Sequence, residues 1–249
     1  MALWEEYTFA TIADYLSKLA AFGTANGWAV TTSTTTTVVM SKAGMTFTSV
    51  DGGNLSVSRS LTFGGRLSGT VTEFQLSVGY NFGFISCGSN LFFYSRHLYS
   101  TAPLGPFFGG VMQIVDKIGA WSGGPLISCS RVISATRLDY FLQGTMVNKA
   151  TLFYEGAWTT IGAAAAGRPH GSIGAERVVA HPNYFNAATL PIPILISQYD
   201  TNTSYLHPIG FAPCVFRASR GTVYAAGDII TISGEQYLRM YNSLLFKVS

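Results

Sequence analysis

The chain has 249 residues, of which 48% are apolar and only 11% charged, with a net charge of +3. Ordinary soluble domains carry about 25% charged residues, so much of this surface is expected to be hidden from water. No run approaches the roughly 20 apolar residues of a membrane-crossing helix, since the longest candidate, "LPIPILIS" at 190–197, is short and carries Pro191 and Pro193. The remaining hiding place is contact with other subunits.

The 15 basic residues are scattered, with no Lys/Arg run to make a stripe for phosphates, so nucleic-acid binding is not expected. The opening "MALWEEY" has no basic n-region and is not read as a secretory leader, which implies synthesis in a cytoplasm. A chain of this length buries roughly 70–75% of its unfolded surface, enough to hold together without a metal or disulfide. Cys87, Cys129 and Cys214 are odd in number and far apart, and are expected to be buried free thiols.

In chain order, the first element is a helix. "TIADYLSKLAAFGTANGW" places Ile12, Tyr15, Leu16, Leu19 and Phe22 on one face. Thr11 and Asp14 form a capping box, and Gly23 with Gly27 supplies the stop. Such a helix is expected to cover its own sheet, with docking to a neighbour as the alternative. From Trp28 the composition changes to Thr, Ser, Val, aromatics and Gly, which is strand composition. "WAVTTSTTTTVVM" (28–40) reads as one exposed strand. "MTFTSV", "NLSVSRSLTF" and "VTEFQLSVGYNFGFISC" follow as an antiparallel meander, with turn signals at Asp51-Gly52-Gly53 and Gly64-Gly65.

The Pro- and Gly-rich stretch 100–128 suggests a soft division into residues 1–105, the helix plus meander, and 106–249, a second β-rich half. In that half "LISCSRVI", "TLFYEGAW", "IPILISQYD", "PCVFRAS" and a C-terminal hairpin over 225–241 read as strands. A segment of small residues and histidines at 162–191 is a long loop or an arm leaving the domain. The expected fold is mainly β, an antiparallel sandwich or barrel-like structure with one short N-terminal amphipathic helix, in one domain or two.

Sites of chemistry are hard to build from these residues. "AWSGGPLIS" (120–128) resembles the nucleophile loop of trypsin-like serine proteases, but Trp121 stands where that family has Asp. His97, the one histidine upstream of Ser122, lacks that family's motif, and "VVAHPNYF" (178–185) follows the serine instead of preceding it. His170, His181 and His207 lack the spacing that converges donors on a metal. Asp228 and Glu235 fall at opposite ends of the strand "DIITIS", roughly 20 Å apart at ~3.3 Å per residue, too far to share one glycosidic bond. Both read as punctuation of a hairpin. No glycine-rich phosphate loop is present. No catalytic residue, cofactor or metal is therefore expected, and the chain is read as a non-enzyme.

Aromatic residues are the remaining candidates. Phe92, Phe93, Tyr94 and Tyr99 crowd "NLFFYSRHLY", and Tyr184 and Phe185 lie in the long loop. These six are the candidate interface or binding residues, for packing against subunits or for stacking on a glycan.

The stretches "ERVVAHPNYFNAATLPIPILISQYD" (176–200) and "LHPIGFAPCVFRASRGTVYAAGDIITISGEQYLRMYNSLL" (206–245) resemble the closing region of some tailed-bacteriophage virion proteins, and "FGTANGWAV" resembles openings of phage structural proteins. The resemblance implies a virion location and a symmetric oligomer in the tail, baseplate or neck, with other virion proteins as partners. The alternative is a receptor- or glycan-binding β-sandwich, a fibre or its attachment module, contacting the host surface.

Overall fold

The computed structural model describes residues 4–75, 80–97, 107–120, 123–131, 150–161, 191–199, 206–218, 227–239 and 244–248. The chain enters through β1 (Trp4–Tyr7), α1 (Ile12–Ala25), β2 (Ala29–Ser33), β3 (Thr37–Lys42), β4 (Met45–Gly53), β5 (Ser56–Phe63), β6 (Arg66–Leu67) and β7 (Val71–Gln75). It continues through β8 (Tyr80–Cys87), β9 (Asn90–His97), β10 (Phe107–Gln113), β11 (Pro125–Arg131), β12 (Ala150–Tyr154) and β13 (Ala157–Ile161). The last strands are β14 (Pro191–Tyr199), β15 (Leu206–Ala218), β16 (Ile229–Ile232), β17 (Glu235–Arg239) and β18 (Leu244–Lys247). The fold is mainly β with antiparallel pairing and one helix among the described residues, as the composition predicts.

The strands form three sheets. A first sheet runs β2-β3-β4-β5-β6, with β7 also on β5; a central sheet runs β1-β8-β9-β10-β11-β12-β13; a C-terminal sheet runs β14-β15-β18-β17-β16. The central sheet is apolar on both faces. Along β8 and β9, Phe82, Phe84, Leu91 and Phe93 join one core with Val38, Met40, Phe47, Val57 and Leu61 of the first sheet, and with α1. The intervening Ile85, Phe92 and Tyr94 join a second core with Ile196, Ile209, Val215, Leu238 and Phe246 of the C-terminal sheet. Side chains alternate across a strand, so a strand covered on both faces must be apolar at successive positions, as "GFIS" and "LFFY" are.

Aromatic bulk needs room inside such a sheet. Gly83 lies opposite Tyr94 and Gly110 opposite Phe92, and a Cβ at either position would run into the ring of its partner.

The helix is capped as its sequence implies. Thr11 Oγ1 accepts a hydrogen bond from Asp14 N at 3.1 Å. At the other end Gly27 takes φ 77°, Trp28 N donates to Gly23 O at 2.9 Å and Gly27 N to Thr24 O at 3.1 Å, the paired bonds of a Schellman ending. Gly27 alone is therefore the stop. Gly23 stays inside the helix, because a Cβ there would sit 2.6 Å from Met40 Sδ. The apolar face of α1 is spent on its own chain: Tyr15 and Phe22 meet Phe84 at centroid distances of 5.3 and 5.5 Å.

Several readings change. Residues 28–40 form a hairpin, β2 and β3, in place of one strand. The turn is set by Thr34, whose Oγ1 accepts from Thr37 N at 2.9 Å and from Thr36 N at 3.3 Å, a side-chain mimic of a backbone turn. Asp51-Gly52-Gly53 lies within β4 as a bulge, while the turn falls on Asn54-Leu55, both at positive φ. "TLFYEGAW" is likewise a hairpin, turning at Glu155-Gly156. On either side of the soft division at 105/106, β9 and β10 pair with each other from Leu91↔Val111 to Ser95↔Phe107. The arm reading at 162–191 lies outside the described residues, apart from Pro191 at the start of β14.

Cys87 and Cys214 are not free thiols. They form a disulfide across a sequence separation of 127, with Cα atoms 6.5 Å apart, joining β8 to β15. A pairing over this distance leaves no local spacing to read.

Replacing Gly83 with Ala is expected to lower stability to chemical denaturation by about 1–3 kcal/mol, because Tyr94 has to leave its rotamer. Thr48→Ala, on the outward face of β4, should stay within about 0.5 kcal/mol of wild type.

Candidate functional site

The central sheet decides the fate of the expected aromatic cluster. Phe92, Phe93 and Tyr94 are 0%, 1% and 1% exposed, so none of the three is available for stacking on a ligand. Phe92 packs on Phe246 at 5.6 Å and Phe93 stacks on Phe47 at 5.8 Å. Their strand is covered on both faces, which corrects the reading of an exposed patch. Tyr99, Tyr184 and Phe185 lie outside the described residues, as do Trp121, Ser122, His170 and His181.

Two polar groupings lie among the buried rings. Arg59 is 1% exposed, its Nη2 donates to Tyr15 Oη at 3.0 Å, and its guanidinium sits 3.8 Å from the centre of the Phe93 ring. A desolvated cation on an aromatic face is worth about 2 kcal/mol, which offsets part of the cost of burying it. The alternation Val57-Arg59-Leu61 does place Arg59 on the inward face of β5, so this position was available from the sequence. The second grouping ties β1 to the central sheet. Glu6 accepts from Tyr94 Oη at 2.8 Å and Asn81 Nδ2 at 2.6 Å, and Trp4 Nε1 donates to Tyr94 Oη. The first grouping joins the first sheet to α1 and the central sheet, and the second fastens β1 to β8 and β9 within the central sheet.

Lys42 works in the same way. Its Nζ donates to Asn26 O at 2.7 Å, a cation on the last carbonyls of α1, and partial burial lowers its pKa from the ordinary lysine value.

The C-terminal hairpin bears out the reading of Asp228 and Glu235 as punctuation. Ser233 and Gly234, at φ 52° and 85°, make the turn between β16 and β17, the primed geometry that matches strand twist. Asp228 O accepts from Arg239 N at 2.8 Å. Glu235 accepts from Tyr237 Oη at 2.6 Å and from Lys247 Nζ, and these hydrogen bonds hold its carboxyl below the usual range. Burial, followed by the hydrogen bond to Glu235 and that residue's charge, pushes the Tyr237 phenol up from 10 to about 12. Among the described residues no group of three or more His, Cys, Asp or Glu could hold a metal.

What remains is the outward face of the first sheet. Burial alternates along β3, β4 and β5, leaving Thr37, Val39 and Ser41, then Thr46, Thr48 and Val50, then Ser58, Ser60 and Thr62 facing away from the core. Register aligns them in three rows: Thr37-Val50-Ser58, Val39-Thr48-Ser60 and Ser41-Thr46-Thr62. No member carries a charge. Beside this face, β2 ends the sheet with Ala29, Thr31 and Ser33 exposed. This face is an uncharged lattice of hydroxyls and valines next to an edge strand. Sequence periodicity could have found the lattice once the β2–β3 turn was known.

No protein-family model matches the chain, and no curated protein is significantly similar to it in sequence.

Tyr237 keeps its proton more tightly when folded, so its stabilisation is complete below pH 10 and is lost as pH rises through about 12. The stability difference between wild type and Tyr237→Phe, measured by denaturant titration, should therefore shrink between pH 10 and 12 and be constant from pH 7 to 9.

Proposed function

We infer that the chain is a non-enzymatic structural component of a bacteriophage virion, a subunit that packs against copies of itself in the tail, baseplate or neck. The uncharged outward lattice on β3–β5 carries this reading. Solvent-facing sheet surfaces are ordinarily punctuated by Lys and Glu, which also block edge-to-edge pairing. Hydroxyl groups both donate and accept, so such a face is complementary to a second copy without requiring opposite charges.

Area sets how the copies must meet. Three strands at ~4.8 Å spacing and about 17 Å of length cover roughly 250–300 Å², against about 800 Å² per partner in a stable interface. The lattice therefore acts together with the neighbouring β2 edge, whose open main-chain groups suit strand addition. Three further features support the reading. The 11% charged composition leaves few groups to solvate a free monomer. Residues 206–245 resemble the closing region of tailed-phage virion proteins. The Cys87–Cys214 disulfide suits a protein whose final site is an oxidising medium, as outside a lysed host.

Light scattering coupled to size exclusion tests the assembly. Wild type should give a mass that rises in discrete steps with concentration. Thr48→Lys, a charge at the centre of the lattice, should shift self-association to at least about 10-fold higher concentration, since an unpaired buried charge costs well over the 1.4 kcal/mol of one decade. A wild type that stays monomeric at all concentrations, or equal masses for the two proteins, would reject this interface.

A further inference from the structure

The C-terminal sheet is attached to the rest of the chain in a way the assembly reading does not use. Its apolar face rests on Ile85, Phe92 and Tyr94. Its main chain touches the segment after β10 through Val115 N to Phe211 O at 3.0 Å, Phe211 N to Val115 O at 2.9 Å and Ile118 N to Ile209 O at 3.0 Å. The one covalent tie between the sheets among the described residues is Cys87–Cys214.

Both ends of that tie are specially built. Cys87 closes β8 opposite Asn90 in a tight hairpin, where Asn90 Nδ2 donates to Cys87 O at 2.8 Å and Asn90 Oδ1 accepts from Gln113 N at 2.7 Å. Cys214 rides on a bulge. Pro193 pairs with Phe216 and Leu195 with Phe211, so residues 212–215 of β15 stand opposite a single residue of β14. Pro213 in this segment has no N–H to offer the ladder. Cys214 itself takes φ 60°, a left-handed conformation that costs a non-glycine residue on the order of 1 kcal/mol and persists only where the surroundings impose it. Both cysteines are partly buried, each with some surface left to solvent, and Cys214 packs against the second core.

We propose that Cys87–Cys214 is a solvent-accessible redox latch that clamps the C-terminal sheet onto the central sheet, and that its reduction loosens the C-terminal sheet while the first two sheets stay folded together. Cys87 and Cys214 leave the ribosome as thiols. Closure is a thiol–disulfide exchange with a low-molecular-weight disulfide such as oxidised glutathione. One cysteine thiolate attacks a sulfur of the oxidant, releasing one small thiol and forming a mixed disulfide. The second cysteine thiolate then attacks the protein sulfur and expels the other small thiol. Two electrons pass from the cysteine pair to the oxidant, and the two cysteine protons end on the released thiols. On reduction Cys214 is free to leave φ 60° and the bulge to relax, which removes the constraint on β15 and on β18 beside it. The first sheet and α1 share no residue with the bulge and keep their own core.

The test uses the purified full chain equilibrated with oxidised glutathione, then denatured and alkylated without reductant. Mass spectrometry should find one alkylated cysteine, Cys129, and a linked peptide pair containing Cys87 and Cys214, with three alkylated after reduction. Hydrogen exchange should be at least about 10-fold faster on reduction across 206–218, 235–239 and 244–247, and unchanged across 37–63. Thermal unfolding of the C-terminal sheet should drop by about 10 °C, as expected for opening a loop of this length. Cys214→Ala and Cys87→Ser in oxidising buffer should match reduced wild type, and Cys129→Ser should match oxidised wild type. Three alkylated cysteines before reduction would overturn the proposal. So would a disulfide whose reduction changes no exchange rate, or one whose reduction speeds all three sheets equally, which would make it a general staple.

Discussion

Everything in this fold depends on a sheet that must be apolar on both of its faces. β8 and β9 pair Phe84 with Phe93 and Ile85 with Phe92, and each pair serves a different core. Hydrophobic burial is proportional to area removed from water, so a shared middle layer lets three modest sheets build two cores. It also imposes costs in shape. Rings on adjacent strands cannot all fit, and Gly83 and Gly110 give up their side chains to Tyr94 and Phe92. Neighbouring positions in this layer answer to different cores.

The double burial changes how the composition is to be understood. An apolar share of 48% is partly consumed within the chain, by the central sheet and by α1, and does not by itself call for other subunits. The shortage of charge is different. Arg59 is buried against Phe93, Glu6 is engaged by Tyr94 and Asn81, and Lys42 is held on the end of α1. Charges already few are drawn into fastening strands and layers, while the outward side of the first sheet is left to Ser, Thr and Val. The case for subunit packing is best rested on that surface.

The three sheets are also unequally secured. The first and central sheets share α1 and the Phe47–Phe93 stack, and Phe9 and Tyr15 each lie within 6.3 Å of both Phe82 and Phe84, centre to centre. The C-terminal sheet rests on a smaller apolar face, three main-chain hydrogen bonds to the segment after β10, and a disulfide. Outward from it, Glu235, Tyr237 and Lys247 hold one another along β17 and β18. Local stability in a multilayer protein follows such attachments, and here the last layer is the one held by a reversible bond.

The amino-acid sequence by itself determined the class of the fold, the capped start of α1 and the C-terminal hairpin in which Asp228 and Glu235 stand at strand ends, because each rests on neighbours in the chain: strand alternation, a 3.6-residue period with its cap, and a Ser-Gly turn. It missed the turn inside 28–40, where a threonine hydroxyl does what glycine usually signals. It left the aromatics of "NLFFYS" open between surface and core, since a run apolar at every position reads the same whether it faces a partner or two layers of its own chain. Only the tertiary structure decided that question, along with the Cys87–Cys214 pairing, the pairing of β9 with β10 and the alignment of nine uncharged side chains on one face. These depend on contacts between segments tens to more than a hundred residues apart, and no local pattern encodes which distant strand will lie alongside.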